Sequence, residues 1–143
     1  MSFVYVLMEE GWEYNDETFF HPDSGSGTPT KVFETLGAAN AECNKRNLES
    51  MKKIFADGEA SQYFYNVNDI IPYQHRKAPG GEQMERIEEL VQIIFGFDLE
   101  TLNGQLNYQQ KIEANPDVSD TTWLEFMSMT TMNFWNVVEC ERE

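Results

Sequence analysis

The sequence predicts an α+β fold in which helices pack on a small, mostly antiparallel sheet. Apolar segments typical of strands occur near both ends of the chain and in its middle, at residues 2–9, 30–34, 63–71 and 134–141. Segments with helical periodicity lie between them, at residues 35–55, 82–95 and 120–131. No internal repeat and no shift in composition marks a boundary, so we expect a single domain over residues 1–143.

The first, second and last strands follow from the spacing of apolar residues. Residues 2–9 are apolar on both alternating sides, which is typical of a central strand covered on both faces. Residues 30–34 are short and β-prone, and we expect them to pair with this strand, with a loop or a long hairpin over residues 11–30. The alternation over residues 134–141 predicts a closing strand, which can lie beside the first one.

The middle of the chain predicts a third strand followed by a connection. Residues 63–71 are rich in aromatic and β-branched side chains with mild alternation, and Pro72 ends the run. Residues 72–81 contain Pro, Gly and basic residues, a composition typical of an exposed connection.

Three segments predict amphipathic helices. Thr35 can cap a helix over residues 35–55, whose apolar stripe is interrupted by Asn47. Residues 82–95 have the clearest helical spacing and end at a glycine. Residues 120–131 have helical spacing, and Ser119 or Asp120 can start this helix.

Residues 98–112 allow two interpretations. Leu99, Leu102 and Leu106 have helical spacing, whereas Asn103 followed by Gly104 is typical of a two-residue hairpin turn. We favour the helix because of the leucine spacing, and the hairpin is the alternative.

The composition limits the partners that this protein can bind. The chain has 25 Asp and Glu against ten Lys and Arg, with a formal net charge of -15. Nucleic acids and anionic membranes bind through basic side chains, so we expect neither as a partner. No apolar run approaches the roughly 20 residues that cross a bilayer. The amino terminus lacks the basic residues and cleavage site of a signal peptide, so a cytoplasmic location is expected.

The basic residues are distributed unevenly along this acidic chain. Residues 31–53 contain five bases and three acids, whereas residues 82–143 contain three bases and 13 acids. We expect the two segments to balance each other within the monomer.

Cysteine and histidine provide few candidates for chemistry. Cys43 and Cys140 both fall on predicted apolar faces, so we expect reduced, buried thiols. His21 and His75 lie in predicted loops, without a nucleophile or an orienting group assigned to either. The acids near residues 9–23 lack the ligand spacing of a calcium loop, and the motifs of common enzyme classes are absent. We therefore predict no catalytic residue, no metal ligand and no cofactor.

The candidate binding surface is the acidic segment that follows the first strand. Its acids occur without Lys or Arg and are interleaved with aromatic residues, a combination that suits a basic protein partner. The residues predicted to form this surface are Trp12, Tyr14, Asp16, Glu17, Phe19 and His21.

These observations predict a non-enzymatic protein-binding module for a basic partner, of the inhibitor, immunity or adaptor type. Charge complementarity would speed the encounter and select the partner. The alternative is a small-molecule-binding protein or an enzyme, with a pocket between the sheet and segment 82–132. Tyr14, His21, His75 and the acids of the first loop would line that pocket.

Overall fold

The computed structural model describes residues 2–10, 12–15, 18–22, 27–64, 66–71, 82–108 and 110–142, with the backbone alone for residues 12–15, 18–22, 68, 82 and 83. Contacts divide the chain into two compact units, Met1–Ser50 with Asn133–Glu143, and Met51–Met132. The single domain predicted over residues 1–143 stays a prediction.

The α+β class is confirmed, and both sheets of the described chain are antiparallel. The strands are β1 (Phe3–Glu9), β2 (Trp12–Asn15), β3 (Thr18–Pro22), β4 (Thr28–Phe33) and β5 (Trp135–Glu141). β1 is the central strand of a three-stranded sheet with the order β4-β1-β5, as the sequence predicted for both of its neighbours. β2 and β3 form a separate two-stranded hairpin, so the hairpin interpretation of segment 11–30 is the correct one.

The pairing of β1 with β4 contains an irregularity, and a glycine lies close to the end of β1. The register shifts between Leu7, which lies opposite Lys31, and Met8, which lies opposite Pro29. Gly27, just before β4, lies so close to the backbone of β1 that an added Cβ would be 2.5 Å from the carbonyl oxygen of Glu9. A side chain at residue 27 would therefore require the backbone of β1 to move.

Helix α1 (Leu36–Ala56) begins in the first unit and ends in the second. The hydroxyl oxygen of Thr35 accepts a hydrogen bond from the Ala38 N–H at 3.2 Å, as the predicted cap requires. The Asn47 side chain, which is 7% exposed, accepts hydrogen bonds from the N–H groups of Phe134 (2.8 Å) and Trp135 (2.9 Å). Its amide also donates to the Trp135 carbonyl at 3.1 Å. The polar residue that interrupts the apolar stripe therefore holds the start of β5.

The second unit is helical in the residues described. It contains α2 (Glu82–Phe95), α3 (Leu99–Asn107) and α4 (Asp120–Ser128), so segment 98–112 begins with a helix rather than a hairpin. Its core is aromatic: the Phe55 ring lies 4.8 Å from the Phe95 ring, and Trp123 packs edge-on against Phe95 at 5.7 Å between centroids. Such contacts stabilise the unit through buried area and ring geometry.

The predicted strand over residues 63–71 is wrong. The structure has one short 3-10 helix within this segment, Val67–Ile70, and another just before it, Ala60–Gln62. The buried residues Phe64, Val67 and Ile70 recur every third position, which suits 3-10 geometry and not the alternation of a strand. Polar side chains also bind the backbone locally, since the Asp69 carboxylate accepts from the Asn66 N–H at 3.2 Å.

The prediction of two buried thiols is correct for one cysteine and wrong for the other. Cys43 is buried on α1, and desolvation raises the pKa of its thiol. Cys140 is exposed on β5. The even-numbered side chains of β5, including Cys140, lie on the more exposed face of that strand. The alternation therefore predicts the strand correctly, but the face expected to bury Cys140 is the exposed one.

Two of the bases concentrated between residues 31 and 53 pair within the monomer. Arg46 binds Glu42 one turn earlier on α1 at 2.9 Å, and its guanidinium lies 4.6 Å from the centroid of the Trp135 ring. Lys52 reaches Asp120 at 3.1 Å. Only the second pair joins the basic segment to the acidic one, so the expected balance between the two segments stays a prediction. Exposed pairs of this kind add little stability.

Candidate functional site

The predicted binding residues lie largely outside the part of the chain whose side chains are described. Trp12 and Tyr14 belong to β2, and Phe19 and His21 belong to β3, which pairs with it antiparallel. The side chains of these four residues, and Asp16 and Glu17 as a whole, are outside the described residues, as is His75. Their proposed role in binding stays a prediction.

One groove in the described part of the second unit lies along α2 and the start of α3. It has a volume of about 820 Å³ and is open to solvent. Its lining residues, most of them acidic, are Glu85, Glu88, Glu89, Gln92, Ile93, Asp98, Leu99 and Glu100. We call this the acidic groove.

Local structure explains why these carboxylates converge. Four of the lining residues of α2 follow one another at intervals of three, one and three positions, so they lie on one side of the helix: Glu85, Glu88, Glu89 and Gln92. Gly96 ends α2 with a positive φ of 78°, a conformation that glycine adopts easily. Asp98 then starts α3, which places Glu100 beside the face of α2.

Asp98 has a structural role as well as a place in the groove. Its carboxylate accepts a hydrogen bond from the Thr101 N–H at 2.8 Å and caps α3. The hydrogen bonds from Thr101 lower the pKa of Asp98 below its usual value, so this group is charged at neutral pH.

Among the described residues, Arg86 lies near these acids, and its charge is already paired. Arg86 binds Glu89 at 2.8 Å and also forms a two-pronged ion pair with Glu125 of α4. Hydrogen bonding to Arg86 lowers the pKa of Glu125. Within the described residues, the other four groove carboxylates form no ion pair with Lys or Arg.

The acidic groove also contains apolar surface. Ile93 is 46% exposed although it is a large hydrophobic side chain, and Leu99 is partly exposed beside it. An exposed aliphatic side chain surrounded by charges is the arrangement found at the centre of many protein interfaces, where a partner covers the apolar group.

A second, amide-rich groove of about 580 Å³ shares Glu88, Leu99 and Glu100 with the acidic groove. Asn66, Asn103 and Asn107 line its other side, and the Asn103 side chain accepts a hydrogen bond from the Val67 N–H at 2.9 Å. The two grooves together present carboxylates for cations and amides for backbone groups.

Carboxylates, amides and aliphatic side chains dominate the lining of both grooves. The two grooves are lined by Asp, Glu, Asn, Gln and aliphatic residues together with a glycine, and none of these lining residues is a His, Cys, Ser or Tyr. Among the residues that the structure describes, no group of three or more His, Cys, Asp or Glu is arranged to hold a metal ion.

Sequence reasoning assigned acidic pairs such as Glu88 and Glu89 to a solvated helix face and did not select them as a site. The available signal was the row of acids on the outer face of α2, followed by an Asp that can start the next helix. Only the packing of α2 against α3 shows that the row becomes the wall of a groove.

Comparison of the chain with protein-family models, with curated proteins and with solved structures finds no match in any of the three. Within the described residues, no helix combines the length and the apolar character needed to cross a membrane.

Proposed function

We propose that this protein is a non-enzymatic protein-binding module and that the acidic groove binds a basic partner protein. The observation that carries the proposal is the group of groove carboxylates without ion pairs in the described chain, arranged around the exposed Ile93. A partner with Lys or Arg around an apolar contact would neutralise these charges and cover the isoleucine.

The two components of the groove would contribute differently to binding. The carboxylates would accelerate association and discriminate against acidic competitors, because electrostatic complementarity acts mainly on encounter and specificity. Ile93 would supply apolar area that becomes buried, and such contacts reduce dissociation. A specific interface typically covers about 800 Å² on each partner, so the groove would form its centre and neighbouring surface its rim.

The proposed module is cytoplasmic. Both cysteines of the chain are free, which suits a reducing compartment.

The experiment is affinity capture with the tagged protein at about 0.1 M and at about 1 M salt. The higher concentration shortens the Debye length from about 10 Å to about 3 Å and so screens contacts between charges. Bound proteins are identified by mass spectrometry, and their affinity for the purified module is then measured directly. The groove variant neutralises three carboxylates that neither cap a helix nor pair with Arg86, Glu85→Gln, Glu88→Gln and Glu100→Gln. The control variant changes the total charge equally at exposed acids outside the groove, Glu49→Gln, Glu59→Gln and Glu113→Gln.

The proposal expects a basic protein that binds at the lower salt concentration, is released at the higher one, and binds the control variant like wild type. We expect the groove variant to bind at least tenfold more weakly, since three charge contacts of about 0.5 kcal/mol each are removed. Equal binding by the groove and control variants would refute the groove as the site. A partner that is acidic or insensitive to salt would refute the proposed function.

A further inference from the structure

The outer edge of β5 has backbone hydrogen-bonding groups that β1 does not use. The Glu10 N–H donates to the Phe134 carbonyl at 2.8 Å, and the Arg142 N–H donates to the Ser2 carbonyl at 2.9 Å. In an antiparallel pair the bonding direction alternates along each strand. The even-numbered residues from 134 to 142 therefore bond to β1, and the N–H and C=O groups of Val137, Glu139 and Glu141 point away from it.

The start of this edge is already occupied. Trp135 also points its backbone groups outward, and the Asn47 side chain binds both its N–H (2.9 Å) and its C=O (3.1 Å). Asn47 thus takes the position that a further strand would take beside Trp135. Within the described chain, the part of the edge without bonding partners covers residues 137–141, and residues 138–141 are all exposed.

The opposite edge of the sheet contains a residue that cannot donate a backbone hydrogen bond, and the β5 edge does not. β4 contains Pro29, which has no N–H, and Lys31, whose charge discourages pairing with another basic strand. β5 contains no proline, and its charged residues, Glu139 and Glu141, discourage a strand that places acids opposite them. This stretch of β5 is therefore a candidate for the addition of a basic strand.

The side chains of β5 indicate what kind of strand would fit. Glu139 and Glu141 share one face, and neither forms an ion pair within the described chain. Val138, which is 42% exposed, and Cys140 share the other face and lie opposite Val6 and Val4 of β1. A complementary strand would therefore alternate basic residues on one face with small aliphatic residues on the other.

We propose that residues 137–141 of β5 bind an extended segment of a partner protein by strand addition, and that this segment has Lys or Arg at alternate positions. The surface lies in the first unit and goes beyond the acidic groove, which belongs to the second. Backbone hydrogen bonds would provide affinity, and pairing with Glu139 and Glu141 would select the basic segment.

A second copy of this chain is a poorer occupant of the edge. A symmetric antiparallel pairing that uses all of residues 137–141 places Glu139 directly opposite Glu139 of the other copy. Like charges directly opposite each other destabilise a strand pair. The charge of the edge therefore favours a basic segment over self-association.

The test uses a fluorescent peptide with the sequence Lys-Val-Lys-Val-Lys-Val-Lys and the full-length protein, with binding measured by fluorescence anisotropy. Two control peptides replace Lys by Glu or carry N-methyl groups at alternate residues, which removes hydrogen-bond donors from one edge of the peptide. The protein variants are Glu139→Gln, Glu139→Pro and Val32→Pro. Circular dichroism and thermal melting verify that each variant is folded.

The three variants separate charge from backbone bonding. Glu139→Gln removes one charge and should weaken binding about threefold. Glu139→Pro also removes an outward N–H without breaking a bond to β1, and we expect the affinity for the peptide to fall by a further factor of about ten. Val32→Pro removes an outward N–H from β4, because Val32 lies opposite Val6, whose bonds go to β5. This variant should bind like wild type.

Several results would overturn the inference. The N-methylated peptide tests backbone bonding in the wild-type protein, independently of whether Glu139→Pro folds, and it should bind at least tenfold more weakly than the unmodified peptide. Equal affinity for the N-methylated and unmodified peptides would exclude strand addition. Equal affinity for the Lys and Glu peptides would exclude the basic partner. Dimerisation of the wild-type protein through Glu139 in sedimentation experiments would identify a second copy as the occupant.

Discussion

Replacement of Asn47 tests whether one buried amide holds the closing strand in place. The variant Asn47→Leu keeps the approximate size of the side chain and removes its hydrogen-bonding groups. Three bonds to the backbone are lost: those from the N–H groups of Phe134 and Trp135 to Oδ1, and the one from Nδ2 to the Trp135 carbonyl. The longer contact from Nδ2 to the Cys43 Sγ, at 3.5 Å, is lost with them. At about 1 kcal/mol for each bond, we expect a loss of about 3 kcal/mol in the free energy of unfolding.

A loss of this size is easily measured, since a domain has about 5–15 kcal/mol of stability in total. Urea unfolding followed by circular dichroism gives the free energy. Hydrogen exchange of the Phe134 and Trp135 amides reports the site directly, and both should exchange faster in the variant. The matched control is Asn44→Leu, an exposed position on the same helix, which should change stability by no more than about 0.5 kcal/mol.

The comparison with Asn47→Ala separates hydrogen bonding from packing. If hydrogen bonds dominate, the Leu and Ala variants should lose similar stability, because neither can replace the amide. A free energy of unfolding for Asn47→Leu within about 1 kcal/mol of wild type, with unchanged amide exchange at Phe134 and Trp135, would refute the claim that Asn47 holds the start of β5.

The remaining predictions concern backbone space, thiol chemistry and helix capping. Gly27→Ala should lower the free energy of unfolding by about 1–3 kcal/mol, because its Cβ would collide with the backbone of β1. Gly104→Ala should raise it by about 0.5–1 kcal/mol, because nothing lies within 4 Å of the added Cβ. Urea unfolding of both variants measures the two effects. A thiol reagent at neutral pH should modify exposed Cys140 rapidly and buried Cys43 slowly. Burial raises the pKa of the Cys43 thiol above its ordinary value, so the thiol ionises in the unfolded chain at a lower pH than in the folded protein. This group therefore lowers the free energy of unfolding as the pH rises through the ordinary thiol pKa, and Cys43→Ser should remove that part of the alkaline dependence in urea titrations. Ser119→Ala should lower the free energy of unfolding by about 1 kcal/mol, because the Ser119 hydroxyl accepts a hydrogen bond from the Thr122 N–H in the first turn of α4. An unchanged midpoint of urea unfolding would argue against this cap.

Most of the regular elements were predictable because their signals are local. The helix over residues 82–95 has the predicted bounds, since its apolar spacing and the glycine after it act within a few residues. The first and last strands were recognised from continuous or alternating apolar residues for the same reason. The error over residues 63–71 arose because aromatic and β-branched residues also occur in 3-10 helices, where local Asn and Asp bonds favour turns.

The candidate site was less predictable. Acids on the outer face of a helix are ordinary, and the spacing of Glu85, Glu88 and Glu89 does not distinguish a solvated face from the wall of a groove. The position of α3, and the use of Arg86 by Glu89 and Glu125, decide which carboxylates remain without an ion pair in the described chain. These contacts join residues that are far apart in sequence.

The sequence by itself determined the acidic character, the α+β class and most of the helices and strands, because composition and periodicity act locally. Asn47 shows what the tertiary structure decided. In the sequence it is a polar interruption of an apolar stripe, and in the fold it binds Phe134 and Trp135, which follow it by 87 and 88 residues. Only the folded chain brings the amide to these backbone groups, because the hydrogen bonds require atoms within about 3 Å whose spacing the sequence does not specify.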